Sequence, residues 1–418
     1  MPGLFSLAVA ALLVASFYGP VYRELTILGV FRKPSPAVFA ENQVFYKIED
    51  TVHCEDLHHY ADRLFAACED TPETRFGWFP PMVIFKEPPQ SGSIHVIGPK
   101  TMKSTRLGFE NFSGPFVTHG IDVTQDPDQK DAVYIFAVNH LPNPGYDSAG
   151  ANGEDNPKAR SQVELFHHVL GSSTVKHVRS IRHPLIKTPN DIYAEGPFSF
   201  YVTNDHYYRE GAKRHVEDAV PAAKWSNIVH VHIGDLESTD GQSGIDVTVA
   251  LTGLHNNNGL GHGQSPDEMV ISSALGGTLY RAKPSRANHT ISVLDSIPLD
   301  SVTDNPSYFK DPYATPSNDA SGYLVAGIAR PIDLPFTFTD PTAKDGVMVW
   351  YVRPNSTSVE GSTTWEKRLI FEDDGTHIRT ASAAVLVGIK PQPNESKKAW
   401  LFVTGFLSES AIAVQVEL

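Results

Sequence analysis

Cysteine is almost absent from this chain of 418 residues, which contains only Cys54 and Cys68. Two thiols cannot form a zinc site by themselves, and no C-x-x-C motif is present, so a zinc site built on cysteine is excluded. The pair leaves two alternatives open. It forms one disulfide across neighbouring strands if the compartment is oxidising, or it remains as two buried free thiols.

Positive charge is also scarce, since 34 Lys and Arg residues face 48 Asp and Glu residues, for a formal net charge of -14. This balance argues against nucleic acid and against an anionic membrane surface as partners. An acidic excess is compatible with cation binding, although solubility alone accounts for such an excess more often.

Long amphipathic helices are hard to find, and the best short candidate, residues 162–169, could equally be a strand. Short β-rich runs separated by Gly, Pro, Asn and Asp fill the chain from Val44 onward. The clearest runs are residues 93–97, 132–138, 227–233, 247–251, 269–274, 347–352 and 384–389. A strand-turn-strand pattern at 399–417 recurs at 268–281, and no boundary between two domains stands out. The pattern predicts an all-β protein, either a sandwich or a propeller.

The N-terminal region supplies the one long apolar run, residues 4–21, which carries no charge until Arg23. Its length predicts an uncleaved signal anchor within residues 1–22, with a cleaved signal peptide as the alternative. Arg23, Arg32 and Lys33 follow the run, and by the positive-inside rule they favour a cytoplasmic body, which conflicts with a secretory route. N-x-S/T sequons support the secretory route weakly and lie at Asn111, Asn288, Asn355 and Asn394.

Oxygen-bearing side chains cluster in the stretch 177–208, at the ends of predicted strands. Asn190 and Asp191 stand just before the β-rich run 198–203, which ends on a second polar cluster at 204–206. Carboxylate and amide oxygens gathered where strands begin and end are the ligands that a hard cation such as Ca²⁺ requires.

The same stretch, SIRHxLIxxxNDIxAxGPxxFYxTNDHYY, resembles the serum paraoxonase/arylesterase family. The resemblance implies a six-bladed β-propeller that uses two calcium ions, one catalytic and one structural, to hydrolyse lactones and aryl esters. It also implies a small-molecule ester or lactone as substrate. Residues 23–418 would form the hydrolase domain behind the signal anchor, and the protein would be extracellular or membrane-anchored through its N-terminus.

Seven short motifs match this family in chain order, among them CEDL, HGI, VNH and TNDH. For the catalytic ion, the resemblance implies the ligands Glu55, Asn190, Asn258, Asp304 and Asn305. These are hard oxygen donors without thiolate or imidazole, which selects Ca²⁺ over zinc or copper. Their wide spread along the chain suits a propeller, where each blade delivers one side chain to the central channel.

The resemblance assigns the remaining site residues as well. Asp56, Asp191 and the carbonyl of Ile121 would hold the structural calcium. His119 of the HGI motif is the proposed base, and His140 of the VNH motif is its partner in a histidine pair.

Several positions depart from the family pattern. Two extra residues follow Asn258, so Asn256 or Asn257 is an alternative ligand. Arg330 stands where the serum enzymes place a histidine, and the segment 71–82, which would shape the substrate mouth, does not align. The C-terminus lacks the cysteine that joins the two chain ends in the serum enzymes.

These departures keep a second hypothesis open, a non-catalytic, calcium-stabilised propeller that serves as a binding or scaffold module. Another hydrolase of similar architecture, such as a gluconolactonase, lacks the HGI and VNH motifs.

Overall fold

Six antiparallel sheets form the blades of a β-propeller in the computed structural model, which describes residues 18–37, 44–150, 154–355, 363–393 and 395–418. The first strand of each sheet contacts the first strands of its neighbours, so these inner strands surround a central tunnel. The prediction of an all-β propeller is therefore confirmed.

The blades are numbered in chain order, and their strands are given from the tunnel outwards. Blade 1 contains Asp56–Tyr60, Arg63–Glu69, Gly92–Gly98 and Lys103–Arg106. Blade 2 contains Thr118–Gln125, Ala132–Pro142, Ala159–Val169, Thr174–Ile181 and, parallel to the last of these, Gly108–Glu110. Blade 3 contains Pro189–Gly196, Ser199–Asn204, Asn227–Ile233 and Ile245–Thr252.

Blade 4 contains Asn257–His262, Met269–Ser273, Thr278–Pro284 and Ile291–Pro298. Blade 5 contains Pro306–Phe309, Gly322–Ile328, Val347–Pro354 and Trp365–Asp373. Blade 6 contains Ala381–Ile389, Lys398–Gly405, Ala411–Glu417 and Phe45–Ile48. A small hairpin outside the blades pairs Trp78–Phe79 with Ile84–Phe85. The short helices are Pro72–Gly77, Ala212–Ala219 and Leu334–Thr337, with 3-10 turns at Pro80–Met82 and Pro331–Asp333.

The hydrophobic core lies between adjacent blades, because each sheet is covered on both faces by its neighbours. Phe136 of blade 2, for example, packs on Phe200 of blade 3 with ring centroids 4.9 Å apart, within a cluster that also holds Ile192 and Val231. Burial on both faces accounts for the apolar runs seen in the sequence, since removing apolar surface from water is the main favourable term in folding. The runs predicted as strands are strands, and the ambiguous residues 162–169 lie within the strand Ala159–Val169.

Strand pairing closes the ring, and the disulfide lies within a single blade. The strand Phe45–Ile48 pairs antiparallel with Ala411–Glu417, so the N-terminal part of the chain completes the last blade. Cys54 and Cys68, separated by 14 residues, form a disulfide within blade 1. The disulfide alternative is therefore confirmed.

The N-terminal segment docks onto the propeller. Residues 1–17, which include most of the predicted signal anchor, lie outside the described residues, and residues 18–27 are helical. The guanidinium of Arg23 donates to the carbonyl of Gly276 at 2.9 Å, and Ile27 is buried against Ala274 and Val302. Within the described ranges, the helices are too short or too polar to cross a membrane.

Candidate active site

The predicted ligands of the catalytic ion converge at one end of the tunnel, because each begins or precedes an inner strand. Glu55 precedes the inner strand of blade 1, Asn190 and Asn258 lie at the starts of those of blades 3 and 4, and Asn305 precedes that of blade 5. The amide of Asn305 donates to both carboxylate oxygens of Glu55, at 3.2 and 3.1 Å, although 250 residues separate them. Glu55, Asn190, Asn258, Asp304 and Asn305 are called the upper site below.

The upper site contains an unusual concentration of oxygen atoms without partners. The Oδ1 atoms of Asn190, Asn258, Asp304 and Asn305 are buried and accept no hydrogen bond from any residue that the structure describes. Leaving one buried polar group unsatisfied costs about 1–3 kcal/mol, so several at one point indicate a partner with positive charge. Carboxylate and amide oxygens in this arrangement fit Ca²⁺.

The pKa shifts of the buried carboxyl groups at the upper site also indicate a bound cation. Burial raises the pKa of Glu55 well above its ordinary value, and the charges of Asp304 and Asp56 raise it further. Burial and the charge of Asp56 also raise the pKa of Asp304 well above its usual range. A bound divalent cation reverses such shifts because it stabilises the ionised carboxylates. The residues of the upper site therefore suit the cation that the family resemblance implies.

The structure narrows the choice among the neighbouring asparagines. Asn256 is engaged elsewhere, since its amide nitrogen donates to the carbonyl of Asp205 and its oxygen accepts from the backbone of Leu275, both at 3.1 Å. Asn257 and Asn258 both have a buried side-chain oxygen that lacks a partner in the described part of the chain. Asn256 is thus unsuitable, while Asn258 stays the predicted ligand and Asn257 its alternative.

The two predicted catalytic histidines form a contacting pair next to the upper site. His119 Nδ1 lies 3.0 Å from His140 Nε2, and His140 Nδ1 lies 2.8 Å from the hydroxyl of Ser161. The other nitrogen of His119 lies 3.8 Å from Glu55 Oε1, so it faces the predicted ion ligands. Burial lowers the pKa of His119 to about 4. The imidazole is therefore neutral near pH 7 and can accept a proton.

A short capping segment, residues 71–85, forms the wall above the histidine pair. Phe79 contacts both His119 and His140 edge-on, with ring centroids 5.4 and 6.1 Å away. A cavity opens to solvent beside His140, and Pro80 and Asp205 help to line it. Asp205, in the TNDH motif that had no predicted ion, pairs with His206 at 3.1 Å. This motif therefore contributes to the cavity wall.

The residues predicted for the structural ion lie deeper in the tunnel and are hydrogen-bonded to backbone groups. Asp56 Oδ2 accepts from the backbone N–H of Ile121 at 2.9 Å. Asp191 accepts from the N–H groups of Ile192 and Leu260, each at 2.7 Å. Asp56, Asp191 and the imidazole of His58 present ligand atoms that all lie within 4.8 Å of one another. Asp56, His58 and Asp191 are called the lower site below, and its imidazole is absent from the predicted set.

Sequence reasoning missed His58 and also its neighbours Asp122 and His262. The sequence contains a pattern that could have identified them. Residues two apart on a strand face the same side of the sheet. Asp56 and His58 are two apart on one inner strand, and Asn258 and His262 are four apart on another. Polar residues that continue at this spacing down an inner strand predict further groups in the tunnel.

The sequence profile of the family described as Arylesterase matches residues 105–388, well over half of the chain. This chain belongs to that family. The matched range contains His119, His140 and most of the predicted ion ligands, whereas Glu55 and Asp56 precede it. The arylesterase-family assignment confirms the resemblance to the serum paraoxonases.

Curated relatives of the chain carry the same family name. Serum paraoxonase/arylesterase 2 of Gallus gallus is 29% identical over 198 residues, which is 47% of this chain and 47% of the relative. Serum paraoxonase/arylesterase 1 of Homo sapiens is 30% identical over 190 residues, 46% of this chain and 45% of the relative. The mouse paraoxonase/arylesterase 1 is 26% identical over 313 residues, 73% of this chain and 76% of the relative. The alignments with the first two of these span about half of the relatives' length.

Arg330 of this arylesterase-family chain, which replaces the expected histidine, has a different role. Its guanidinium pairs with Asp333 at 2.6 Å and donates to the carbonyls of Gly29 and Arg32, at 2.8 and 2.6 Å. The substitution therefore fixes the N-terminal segment to the propeller through blade 5.

Proposed function

We propose that this arylesterase-family protein is a calcium-dependent hydrolase of carboxylic esters, an arylesterase or lactonase acting on small molecules. One observation carries the proposal, the set of unpartnered buried oxygens of Asn190, Asn258, Asp304 and Asn305 next to a neutral histidine pair. A binding module would not need a proton acceptor beside its ion ligands.

In this proposal Glu55, Asn190, Asn258, Asp304 and Asn305 hold the ion of the upper site. When bound, Ca²⁺ polarises the ester carbonyl and stabilises the negative charge that develops on its oxygen. The hydrophobic wall around Phe79 excludes water from one side of the site, which strengthens these interactions.

His119 is the proposed base. If His140 Nδ1 donates to Ser161, then His140 Nε2 is free to accept from His119 Nδ1–H, and the contacts of 2.8 and 3.0 Å suit both bonds. This arrangement places the proton of neutral His119 on Nδ1 and leaves its Nε2 lone pair facing the amide nitrogen of Asn190, 3.4 Å away, and Glu55, 3.8 Å away. His119 would then take a proton from the attacking water at Nε2. His140 and Ser161 act as positioning residues that select this tautomer.

The proposal extends to the second ion and to the cellular route. Asp56, Asp191 and the Ile121 carbonyl would contribute to a second cation deeper in the tunnel, which stabilises the propeller. The disulfide of Cys54 and Cys68 supports an oxidising, secretory compartment, with the protein extracellular or anchored by its N-terminus.

The test is hydrolysis of phenyl acetate and a panel of lactones by the purified protein, with calcium and then with chelator. Asp304→Ala is expected to lower both calcium affinity and kcat/KM at least 100-fold, because it removes a charged ligand of the ion. Asp300→Ala, at a nearby exposed position, is the control and should leave both unchanged. Unchanged hydrolysis and calcium affinity in Asp304→Ala would refute the proposal. Calcium-dependent stability without turnover on any substrate would instead select the binding-module hypothesis.

A further inference from the structure

A group of histidine and glutamate side chains lies between blades 3 and 4 and shares no residue with the upper or lower site. Glu195 lies near the end of the inner strand Pro189–Gly196, His230 lies on the third strand of blade 3, and His289 lies in the turn between the last two strands of blade 4. The inner strand begins at the upper site, so Glu195 lies about 16 Å along the strand from Asn190. Glu195, His230 and His289 are called the interblade site below.

The interblade site brings one carboxylate and two imidazoles close enough to share an ion. One ligand atom from each side chain lies within 4.8 Å of the other two. Glu195 Oε2 lies 3.7 Å from His230 Nε2. In a tetrahedral zinc site, bonds of about 2.1 Å separate two ligand atoms by about 3.4 Å. The spacing of this pair is therefore already close to that of a zinc site.

His289 is held against His230 by an uncommon backbone conformation. Its φ is 57°, a left-handed value that few residues other than glycine adopt, and its N–H donates to the carbonyl of Ser285 at 2.8 Å. The two imidazole rings stack with centroids 3.7 Å apart and planes 5° from parallel. Burial and the charge of His230 lower the pKa of His289. The ring of His289 is therefore neutral near pH 7, the state in which histidine binds metals.

Two buried polar atoms at these rings have no hydrogen-bond partner in the described part of the chain. One is His289 Nδ1, and the other is the hydroxyl of Tyr201, whose ring centroid lies 4.9 Å from that of His230. Buried polar groups are hydrogen-bonded in the great majority of cases. The two atoms therefore indicate a partner that the protein chain itself does not supply.

Ser199 orients the carboxylate of the interblade site. Its hydroxyl donates to Glu195 Oε2 at 2.7 Å and lies 2.9 Å from His230 Nε2. Without a metal, the hydroxyl oxygen can accept from His230 Nε2–H. A metal replaces that proton, because a metal-bound imidazole nitrogen must be deprotonated, and Ser199 keeps its bond to Glu195. The side chain of Glu195 is 29% exposed, so an ion can enter from solvent.

We propose that the interblade site binds Zn²⁺ through Glu195, His230 and His289, with water in the remaining position. Two imidazoles and one carboxylate are a donor set that zinc favours, whereas Ca²⁺ takes oxygen ligands. Because the ligands come from two blades, the ion joins the outer strands of blade 4 to blade 3 and stabilises the propeller. The inference does not depend on the proposed hydrolase function.

The first experiment measures zinc binding by the whole protein in excess Ca²⁺, which keeps the calcium sites occupied. Equilibrium dialysis against Zn²⁺, followed by inductively coupled plasma mass spectrometry, counts the bound metal. We expect one zinc per chain, and Zn²⁺ at about 100 times Kd should raise Tm by about 3 °C. Absence of bound zinc in excess calcium would overturn the inference.

Variants locate the zinc. His230→Gln and His289→Asn each remove one imidazole, and asparagine suits the left-handed backbone at position 289. Each variant should lower zinc affinity at least about 10-fold, since even the loss of a group behind a metal ligand costs about 10- to 100-fold. His215→Gln, whose side chain is 74% exposed, is the matched control and should bind zinc like the wild type. Equal zinc affinity in all three variants and the wild type would refute the assignment.

His58→Gln distinguishes zinc in the interblade site from zinc in the lower site, and it should keep the zinc. Circular dichroism checks that each variant is folded. Zinc that is lost in His58→Gln but kept in His230→Gln would contradict the interblade site. Hydrolysis of phenyl acetate in saturating calcium should be unchanged in His230→Gln. A wild-type protein without hydrolase activity would still bind one zinc, so the two proposals fail independently.

Discussion

At the residue scale, the proposed base depends on a chain of three polar side chains. Ser161 orients His140, and His140 in turn orients His119, whose Nε2 lies 3.4 Å from the amide nitrogen of Asn190 and 3.8 Å from Glu55 Oε1. His140 and Ser161 line the cavity beside the pair, and His119 is the one that faces the predicted ion ligands. Catalysis should therefore be more sensitive to His119 than to the groups behind it.

We predict that His119→Gln lowers kcat/KM for phenyl acetate 100- to 10,000-fold, the range typical of losing a general base. Calcium affinity, measured by titration calorimetry, should change only a few-fold because His119 is not a predicted ion ligand. His167→Gln is the matched control on the third strand of the same blade, where the imidazole pairs with Asp126 at 2.8 Å. A decrease of less than 10-fold in His119→Gln would mean that another group accepts the proton.

At the scale of elements, the capping segment 71–85 depends on one buried ion pair. Arg75 contacts Glu69 at 3.1 Å, with both side chains completely buried, and donates to the carbonyl of Thr118 at 3.0 Å. The guanidinium also lies 4.1 Å from the centre of the Phe79 ring. Arg75 thus joins blade 1, the strand that carries His119, and the wall of the cavity. Buried charges of this kind are costly to separate.

A second element, the strand Phe45–Ile48, completes blade 6 and should control the stability of the whole ring. Ile48 is fully buried in a cluster with Leu57 and Ala411, whereas its neighbour Lys47 is exposed. We predict that Ile48→Asp lowers the free energy of unfolding by about 3 kcal/mol or more, because it removes apolar packing and buries an unpaired charge.

Urea denaturation monitored by tryptophan fluorescence measures this loss, and Lys47→Asp is the control. The control should change stability by less than about 0.5 kcal/mol, as is usual for surface positions. Equal stability of the two variants would show that the pairing of Phe45–Ile48 with Ala411–Glu417 does not close the ring.

At the scale of the molecule, buried neutral histidines should make stability depend on pH. Burial lowers the pKa of His53 to about 3 and that of His95 to about 4, and His119 behaves like His95. In the unfolded chain these groups titrate near pH 6.5, so the unfolded state binds more protons below that pH. The contribution of these histidines to stability is therefore fully present above about pH 6.5 and is lost progressively as the pH falls to about 4.

We predict that each such histidine lowers the free energy of unfolding between pH 6.5 and 4 by on the order of 2 kcal/mol. Glu69, whose pKa burial raises to about 7, acts in the opposite direction. His95→Gln isolates one contribution, since His95 is buried between Ser93 and Ser104 and lies outside the proposed metal sites. This variant should show a smaller decrease over the same range. His215→Gln, whose side chain is 74% exposed, is the control and should follow the wild type. A decrease equal to that of wild type in His95→Gln would contradict the prediction.

Local sequence determined much of the fold. Runs of β-rich residues between Gly, Pro, Asn and Asp predicted the strands correctly, because strand alternation and turn formation depend on residues that are close in the chain. The motifs around His119, His140 and Asn190 identified the family for the same reason, since each motif is a short local pattern. Residues 162–169 remained ambiguous because a short apolar run suits a helix or a strand equally.

Tertiary structure alone decided which distant groups meet. Glu55 and Asn305 contact each other only because the ring brings the first and fifth blades to one tunnel, and local patterns do not encode pairing over 250 residues. The same holds for the disulfide, for the strand that closes blade 6, and for His58 beside Asp122. The hydrogen bonds of the Asn256 side chain to Asp205 and Leu275 also depend on the tertiary structure, because only the fold brings these residues together. Burial and long-range backbone pairing determine which of these distant residues contact each other, and neither can be inferred from neighbouring residues in the chain.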